Sequence, residues 1–254
     1  MVAWTLLATA PLAALAVIFL IDCWKSRPDW SGGGFGLPDA FAGSLLALFF
    51  LFLVADSTGE RQQITIAAIA GSAIVYGGLV IMLNGFLAVR GVSLCEAFRL
   101  KSGERNSLAI VGLASVACIP LVLFTQSLVS WFLPESAESQ PLLEFWTTHS
   151  DLTGRFLVVV MASVVAPICE EWIFRGYLYG VARRYVGPLW SMFVVSLLFA
   201  AIHLHLPAMP GLFLLGVVFT VIYERTGTLW APIAVHSVFN TVSLAASLLW
   251  PDMA

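Results

Sequence analysis

An apolar segment of membrane-spanning length contains two adjacent glutamates. Residues 156–178 read FLVVVMASVVAPICEEWIFRGYL, and Glu170 and Glu171 follow a run that is entirely apolar or small. Inserting one carboxylate at the centre of a bilayer costs about 2.5–3.5 kcal/mol on insertion scales. An ionisable residue at that depth is by default a candidate functional residue, so we expect to find its polar partners on other helices.

The composition of the whole chain is that of a polytopic membrane protein. The chain has 254 residues, of which 60% are hydrophobic and 11% are charged. A soluble domain typically carries about 25% charged residues. The composition therefore leaves little room for a separate soluble domain, and the net charge of -3 points to no class of partner.

Eight apolar segments approach or exceed the roughly 20 residues that a membrane span requires. They are residues 2–21, 38–55, 64–89, 107–132, 156–178, 189–206, 208–223 and 229–249. The sequence thus predicts an all-α fold, a polytopic membrane helical bundle of about eight transmembrane helices. We divide it into N-terminal transmembrane helices with an interfacial segment, residues 1–141, and a C-terminal core, residues 142–254. The interfacial segment, residues 92–105, is amphipathic and basic.

The basic residues predict the orientation of these spans, because cytoplasmic loops carry an excess of Lys and Arg. With the N-terminus outside, only Arg61 and Arg155 of the twelve basic residues fall on the outer side. The ten on the cytoplasmic side are Lys25, Arg27, Arg90, Arg99, Lys101, Arg105, Arg175, Arg183, Arg184 and Arg225. We therefore expect a multi-pass protein of the cell membrane with both termini outside.

Other polar side chains in the later spans are placed to meet the glutamates. Glu170 lies 17 residues before Gly187, where we expect a turn, and His203 lies 16 residues after it. At about 1.5 Å per residue, both are roughly 25 Å from that turn and should be level. His236 lies nine residues beyond the turn at Gly227 and reaches the same layer if the preceding hairpin projects into the cytoplasm.

Three pairs at i,i+4 spacing place polar groups on common helix faces. The pairs are Glu171 with Arg175, Phe199 with His203, and His236 with Asn240. If Glu171 and Arg175 neutralise each other, Glu170 is free to face the histidines and Asn240. Such a cluster can activate water, since a carboxylate in an apolar site can act as a general base and imidazole or amide groups can stabilise an oxyanion.

Each element also has a structural interpretation that the sequence leaves open. A Glu–Arg pair at this spacing is more often structural than catalytic. A single histidine in a membrane helix more often makes an interhelical hydrogen bond, and Asn240 can do the same. The combination of a glutamate dyad with three level polar groups favours a functional site.

The same residues resemble the motifs of a known family. In order along the chain they are Glu170-Glu171-x-x-x-Arg175, Phe199-x-x-x-His203 and His236-x-x-x-Asn240. They are similar to the three motifs of the CPBP family, the intramembrane endopeptidases of the CAAX-protease and bacteriocin-processing type. The resemblance covers about residues 142–249 and does not extend to the part before it.

The resemblance implies an intramembrane endopeptidase with a catalytic cavity that faces the cytosol. It implies that Glu170 and His203 activate the water, that His236 and Asn240 stabilise the oxyanion, and that Glu171 and Arg175 hold the site together. Phe199 is expected to support it. No cofactor is expected, although a zinc site with ligands from three helices stays an alternative, and the sequence has no HExxH motif.

The expected substrate is a peptide or a membrane-anchored protein tail within the lipid bilayer, and no nucleic acid is expected to bind. The sequence does not separate pro-peptide maturation from C-terminal tail sorting. Two other functions remain open. One is a proton-coupled transporter, since intramembrane Glu and His also relay protons. The other is a non-catalytic scaffold or immunity protein.

Overall fold

The architecture is a helical bundle. The computed structural model describes residues 2–28, 34–56, 64–101, 107–133, 141–148 and 151–249. Throughout these ranges the regular structure is helical, which confirms the all-α prediction. Arg61, Arg105 and much of the acidic segment before residue 152 lie outside the described residues, so the predicted orientation stays a prediction.

The helices follow the predicted apolar segments closely. In chain order they are α1 (Val2–Lys25), α2 (Leu37–Asp56), α3 (Ile66–Val89), α4 (Leu94–Ala97), α5 (Ser107–Phe132), α6 (Pro141–Thr148), α7 (Leu152–Val160), α8 (Ala166–Glu171), α9 (Gly180–Ala201), α10 (Met209–Thr226) and α11 (Trp230–Leu249). Two π-helical segments join them, π1 (Met161–Val165) between α7 and α8 and π2 (Trp172–Tyr179) between α8 and α9. A short 3-10 turn, Leu206–Ala208, precedes α10.

The described residues contain seven helical stretches long and apolar enough to cross a membrane. The sequence predicts about eight, and the difference lies in one stretch, Leu152–Ala201, which contains the predicted segment 156–178 and most of 189–206. Its 50 residues would reach about 75 Å, more than twice the hydrocarbon thickness of a bilayer. Its path is interrupted at Gly187, whose φ of 79° and ψ of 168° are non-helical. This is the place where the sequence predicts a turn.

Helix α10 lies at the centre of the bundle and packs against α1, α5, α9 and α11. In its most apolar window 56% of the residues are buried, against 11% in the corresponding window of α3. Gly216 of α10 permits the close approach of α9, because a Cβ there would lie 2.8 Å from the Cβ of Ser196. Helix α3 is peripheral by comparison, but its inner side packs on α7, π1 and α8.

The part of the predicted interfacial segment that the structure describes, up to residue 101, is docked on the core. Phe98 is fully buried, and its ring meets the ring of Trp172 edge-on at 4.9 Å. The carbonyls of Arg99 and Leu100 accept hydrogen bonds from the backbone of Leu229 and from the indole of Trp230, at 3.3 and 3.1 Å. This segment therefore braces the turn between α10 and α11.

Candidate active site

The two adjacent glutamates end α8 and lie between the π-helical segments. Glu170 is 4% exposed and Glu171 is fully buried. π-Helical turns are rare and occur frequently at functional sites. Here one such segment precedes the six residues of α8 and another follows them, and the second carries Arg175.

Glu171 and Arg175 form the ion pair that their spacing predicts. Arg175 Nη1 donates to Glu171 Oε1 at 2.9 Å, and both side chains are fully buried. Arg175 Nη2 donates to the carbonyl oxygen of Gly216 on α10 at 3.0 Å. The guanidinium also lies over the rings of Phe199 and Phe219, at 4.6 and 5.1 Å. The pair is thus tied to the central helix of the bundle.

His236 connects the two glutamates. Its Nδ1 lies 3.0 Å from Glu171 Oε1, and because a carboxylate accepts, Nδ1 is the donor. Its Nε2 lies 3.9 Å from Glu170 Oε2. The ring is stacked on Phe219 with centroids 4.7 Å apart, which fixes its plane. Glu171 is therefore more than the partner of Arg175: it also sets the tautomer and orientation of His236.

The two oxygens of Glu170 have different environments. Oε1 accepts a hydrogen bond from the hydroxyl of Tyr76 on α3, at 2.8 Å. Oε2 is buried and has no hydrogen-bond partner, and it faces Nε2 of His236. Burying an unpartnered carboxylate oxygen is unfavourable, so an oxygen of this kind calls for an explanation.

His203 lies just beyond α9, against Phe199. Its Nδ1 lies 2.7 Å from the carbonyl oxygen of Phe199 and must donate to it, so a neutral ring keeps its lone pair on Nε2. This bond satisfies one of the carbonyls left open at a helix C-terminus. Rings of His203 and His236 contact the buried Phe199 ring, with centroids at 4.9 and 6.0 Å. Phe199 thus lies between the two imidazoles.

Asn240 is one turn beyond His236 and is partly buried. Its Nδ2 donates to the carbonyl oxygen of Ala162 in π1, at 2.8 Å. This bond links α11 to the segment before the glutamates. It uses one of the two amide hydrogens and leaves the other for a second acceptor.

The structure brings Glu170, Glu171, Arg175 and His236 into direct contact or close to it, with Phe199 beside them. His203 reaches the cluster through Phe199, and Asn240 through π1. Sequence reasoning missed Tyr76, because no pattern in α3 shows which of its side chains turns toward a residue 94 positions later. It also missed the carbonyl of Gly216, since a backbone acceptor leaves no mark in the sequence.

Zinc binds His and carboxylate ligands, so the fit of these residues to a metal can be examined. Among the residues that the structure describes, no three His, Cys, Asp or Glu side chains are grouped so that they could hold a metal ion. Nδ1 of His236 is held by Glu171 and Nδ1 of His203 by a carbonyl, so a metal ligand from either ring would have to be Nε2.

Comparison with known proteins agrees with the motifs. Residues 152–242 match the family model of Rce1-like type II CAAX prenyl endopeptidases. A Bacillus subtilis (strain 168) protein named "Putative membrane peptidase YdiL" is 26% identical over 149 residues, which cover 56% of this chain and 59% of that protein. The Staphylococcus aureus (strain USA300) protein "Membrane-embedded CAAX protease MroQ" is 29% identical over 102 residues, 38% of this chain and 41% of that one.

The matched parts span less than two thirds of either relative. No solved structure matches the chain. The part that the family model matches, residues 152–242, carries Glu170, His203 and His236.

Proposed function

Residues 152–242 belong to the CPBP family of membrane endopeptidases, and on that basis we propose that the chain is an intramembrane endopeptidase. It hydrolyses peptide bonds of membrane-associated peptides or protein tails with a water molecule activated by glutamate and histidine. The observation that carries the proposal is the buried Oε2 of Glu170. It has no hydrogen-bond partner and lies 3.9 Å from an imidazole whose other nitrogen is held by a second carboxylate.

Glu170 is the general base in this proposal. Oε2 accepts a proton from water as the water oxygen attacks the carbonyl carbon of the scissile bond. His203, whose Nε2 is left free by the bond from Nδ1 to Phe199, shares the same water. When the tetrahedral intermediate collapses, the C–N bond breaks and Glu170 returns the proton to the leaving amine. The products are a carboxylic acid and an amine, and every proton is accounted for.

His236 and Asn240 stabilise the oxyanion. The carboxylate of Glu171 accepts from Nδ1 of His236 and orients the ring, so that a proton on Nε2 is directed at the developing charge. The second amide hydrogen of Asn240 supplies a further donor. Arg175 holds Glu171 in place through the ion pair. This division of roles is the one that the family resemblance implies.

The substrate has to reach a site enclosed by apolar helices. The seven candidate spans make a multi-pass membrane protein, and the glutamates lie within the stretch Leu152–Ala201. A substrate that is itself anchored in or associated with the bilayer meets this requirement. We place the protein in the cell membrane with the site open to the cytosol.

The decisive experiment compares peptide termini in cells that carry the wild-type protein with those in cells that carry Glu170→Gln. The amide has nearly the shape of the acid but cannot serve as the base. We expect a set of new termini to depend on the carboxylate, and His203→Ala to lose the same set. Equal cleavage by a folded Glu170→Gln variant would refute the proposal.

The same comparison separates the other functions. A scaffold or immunity protein would keep its cellular effect when Glu170 and His203 are both replaced by alanine. The identity of the cleaved ends distinguishes maturation of short pro-peptides from sorting of C-terminal tails.

A further inference from the structure

Helix α3 lies outside the part of the chain that matches the family, yet it contacts the glutamate dyad at two points. The hydroxyl of Tyr76 donates to Glu170 Oε1 at 2.8 Å. Two turns further on, the amide oxygen of Asn84 accepts from the indole nitrogen of Trp172, the residue after the dyad, at 2.9 Å. The two contacts are separated by about 12 Å along α3.

These contacts are unusual for a helix that otherwise faces outward. Only 11% of the most apolar window of α3 is buried, and Ile74, Val75, Ile81 and Met82 are more than half exposed. Polar side chains in a membrane helix generally turn toward the protein interior. Tyr76 and Asn84 do so, and each meets a residue at or next to the dyad.

We propose that Tyr76 is a positioning residue for the reaction, holding Glu170 so that Oε2 is the oxygen offered to water. The inference rests on the function proposed above. A glutamate side chain has several rotatable bonds, and fixing it in one rotamer carries an entropic cost that the hydrogen bond offsets. Oε1 is held by the phenol, and Oε2, which has no partner in the structure, is the oxygen offered to a substrate water.

Asn84 has a related role. By holding the indole of Trp172, it fixes the beginning of π2, the segment in which Arg175 follows three residues later. The ring of Phe98 packs edge-on against the same indole. Helix α3 and Phe98, which precede residue 152, thus add contacts to the dyad region.

The chain contains a matched control for Tyr76. The hydroxyl of Tyr177 also donates one hydrogen bond between helices. Its acceptor is the backbone carbonyl of Asp39, at 3.2 Å, and not a residue of the dyad. Tyr76→Phe and Tyr177→Phe each remove one hydroxyl and keep the ring. Only the first should affect Glu170.

The test uses the full-length protein in detergent micelles and a fluorogenic peptide built on the cleavage sequence identified through Glu170→Gln. With enzyme in excess, the single-turnover rate constant does not depend on the fraction of active molecules. We expect Tyr76→Phe to lower this rate constant about 10- to 100-fold, since misplacing a catalytic group by ~1 Å costs about that much. The concentration for half-saturation should not change, and Tyr177→Phe should cleave at the wild-type rate.

A second measurement does not depend on activity. In a double-mutant cycle of thermal unfolding, Tyr76→Phe is combined with Glu170→Leu, which removes the acceptor. Each single change leaves one buried polar group unpartnered, whereas the double change leaves neither. We expect the double variant to unfold at a higher temperature than the sum of the single shifts predicts.

The results separate the two proposals. An unchanged rate constant for Tyr76→Phe beside an inactive Glu170→Gln would overturn the positioning role and leave the peptidase function standing. Additive unfolding temperatures would overturn the contact itself. If Glu170→Gln still cleaved, the peptidase mechanism would fall, and the positioning role for that reaction would fall with it.

Discussion

The bundle contains two buried acid–base clusters, and they differ in how many of their carboxylate oxygens have a hydrogen-bond donor. In one, Glu224 of α10 accepts from the Tyr179 hydroxyl at Oε1, at 3.0 Å, and from Arg183 Nη2 at Oε2, at 3.3 Å. Both of its oxygens therefore have donors. In the other, Oε2 of Glu170 and Oε2 of Glu171 are buried without a hydrogen-bond partner.

We interpret the difference as that between a structural cluster and the proposed active site. A buried polar atom without a partner costs about 1–3 kcal/mol, and proteins have few of them. Glu224 is a saturated ionic contact between α10 and the neighbouring π2–α9 region. In the dyad cluster, the unpartnered Oε2 of Glu170 lies 3.9 Å from Nε2 of His236. That is the arrangement expected where a substrate or water supplies the missing partner.

The largest effect that we expect from this difference is the loss of activity in Glu170→Gln. Removing a general base lowers a rate by about 10²–10⁴-fold, so we expect kcat to fall by about 10³-fold or more. The unfolding temperature should not fall, because Oε2 loses no partner. The measurement is the cleavage rate of the fluorogenic peptide beside the thermal unfolding of the same sample. A stability loss that accounts for the missing activity would contradict a catalytic role.

The next largest effect concerns the counter-ion inside the dyad cluster. Arg175→Met leaves Glu171 buried without its cation, and breaking a buried pair in this way costs about 3–5 kcal/mol. Equilibrium unfolding in mixed detergent micelles measures the loss. The double variant Glu171→Gln, Arg175→Met should regain much of the stability, since it buries no uncompensated charge. It should stay inactive, since His236 no longer has a carboxylate at Nδ1. A double variant as unstable as the single one would contradict this account.

The sequence predicts part of this site because part of it is local. Glu171 and Arg175 meet because an i,i+4 spacing puts them on one helix face. The helical rise predicts that Glu170 is level with His203, and that His236 joins them only if the preceding hairpin projects into the cytoplasm. The bond from His236 to Glu171 could not be predicted in this way. It depends on the rotation of the imidazole between two carboxylates, which the stacking on Phe219 sets.

Contacts between residues far apart in the sequence could not be predicted either. An apolar helix such as α3 has no polar face that indicates how it is rotated, so neither Tyr76 nor Asn84 pointed to the dyad. The span count differs at Gly187 for the opposite reason. The sequence predicts a turn there, and the structure has non-helical backbone at Gly187, but Leu152–Ala201 still counts as a single helical stretch.

For the cluster around Glu224 we expect the opposite result, a loss of stability without a loss of activity. The effect should be smaller than those above. Glu224→Gln weakens the hydrogen bonds from Tyr179 and Arg183, and hydrogen bonds to charged groups contribute about 1.5–3 kcal/mol. The protein should unfold at a lower temperature, while the single-turnover rate constant at a permissive temperature stays that of the wild type. A rate constant reduced as far as that of Glu170→Gln would mean that the two clusters are not separate in function.

The smallest expected effect concerns Gly216. Its backbone carbonyl accepts the hydrogen bond that links Arg175 to α10. In Gly216→Ala the new Cβ would approach the backbone Cα of Ser196 to 3.0 Å, and overpacking of this kind costs about 1–3 kcal/mol. The better helix propensity of alanine offsets about 1 kcal/mol, which leaves a net loss of stability of about 1 kcal/mol.

Gly43→Ala on α2 is the control. The new Cβ would meet side chains no closer than 3.7 Å, so the substitution should stabilise the helix slightly. We expect Gly216→Ala to unfold below the wild-type unfolding temperature and Gly43→Ala to unfold above it. If Gly216→Ala is as stable as Gly43→Ala, α9 and α10 do not constrain Arg175 as closely as the geometry indicates.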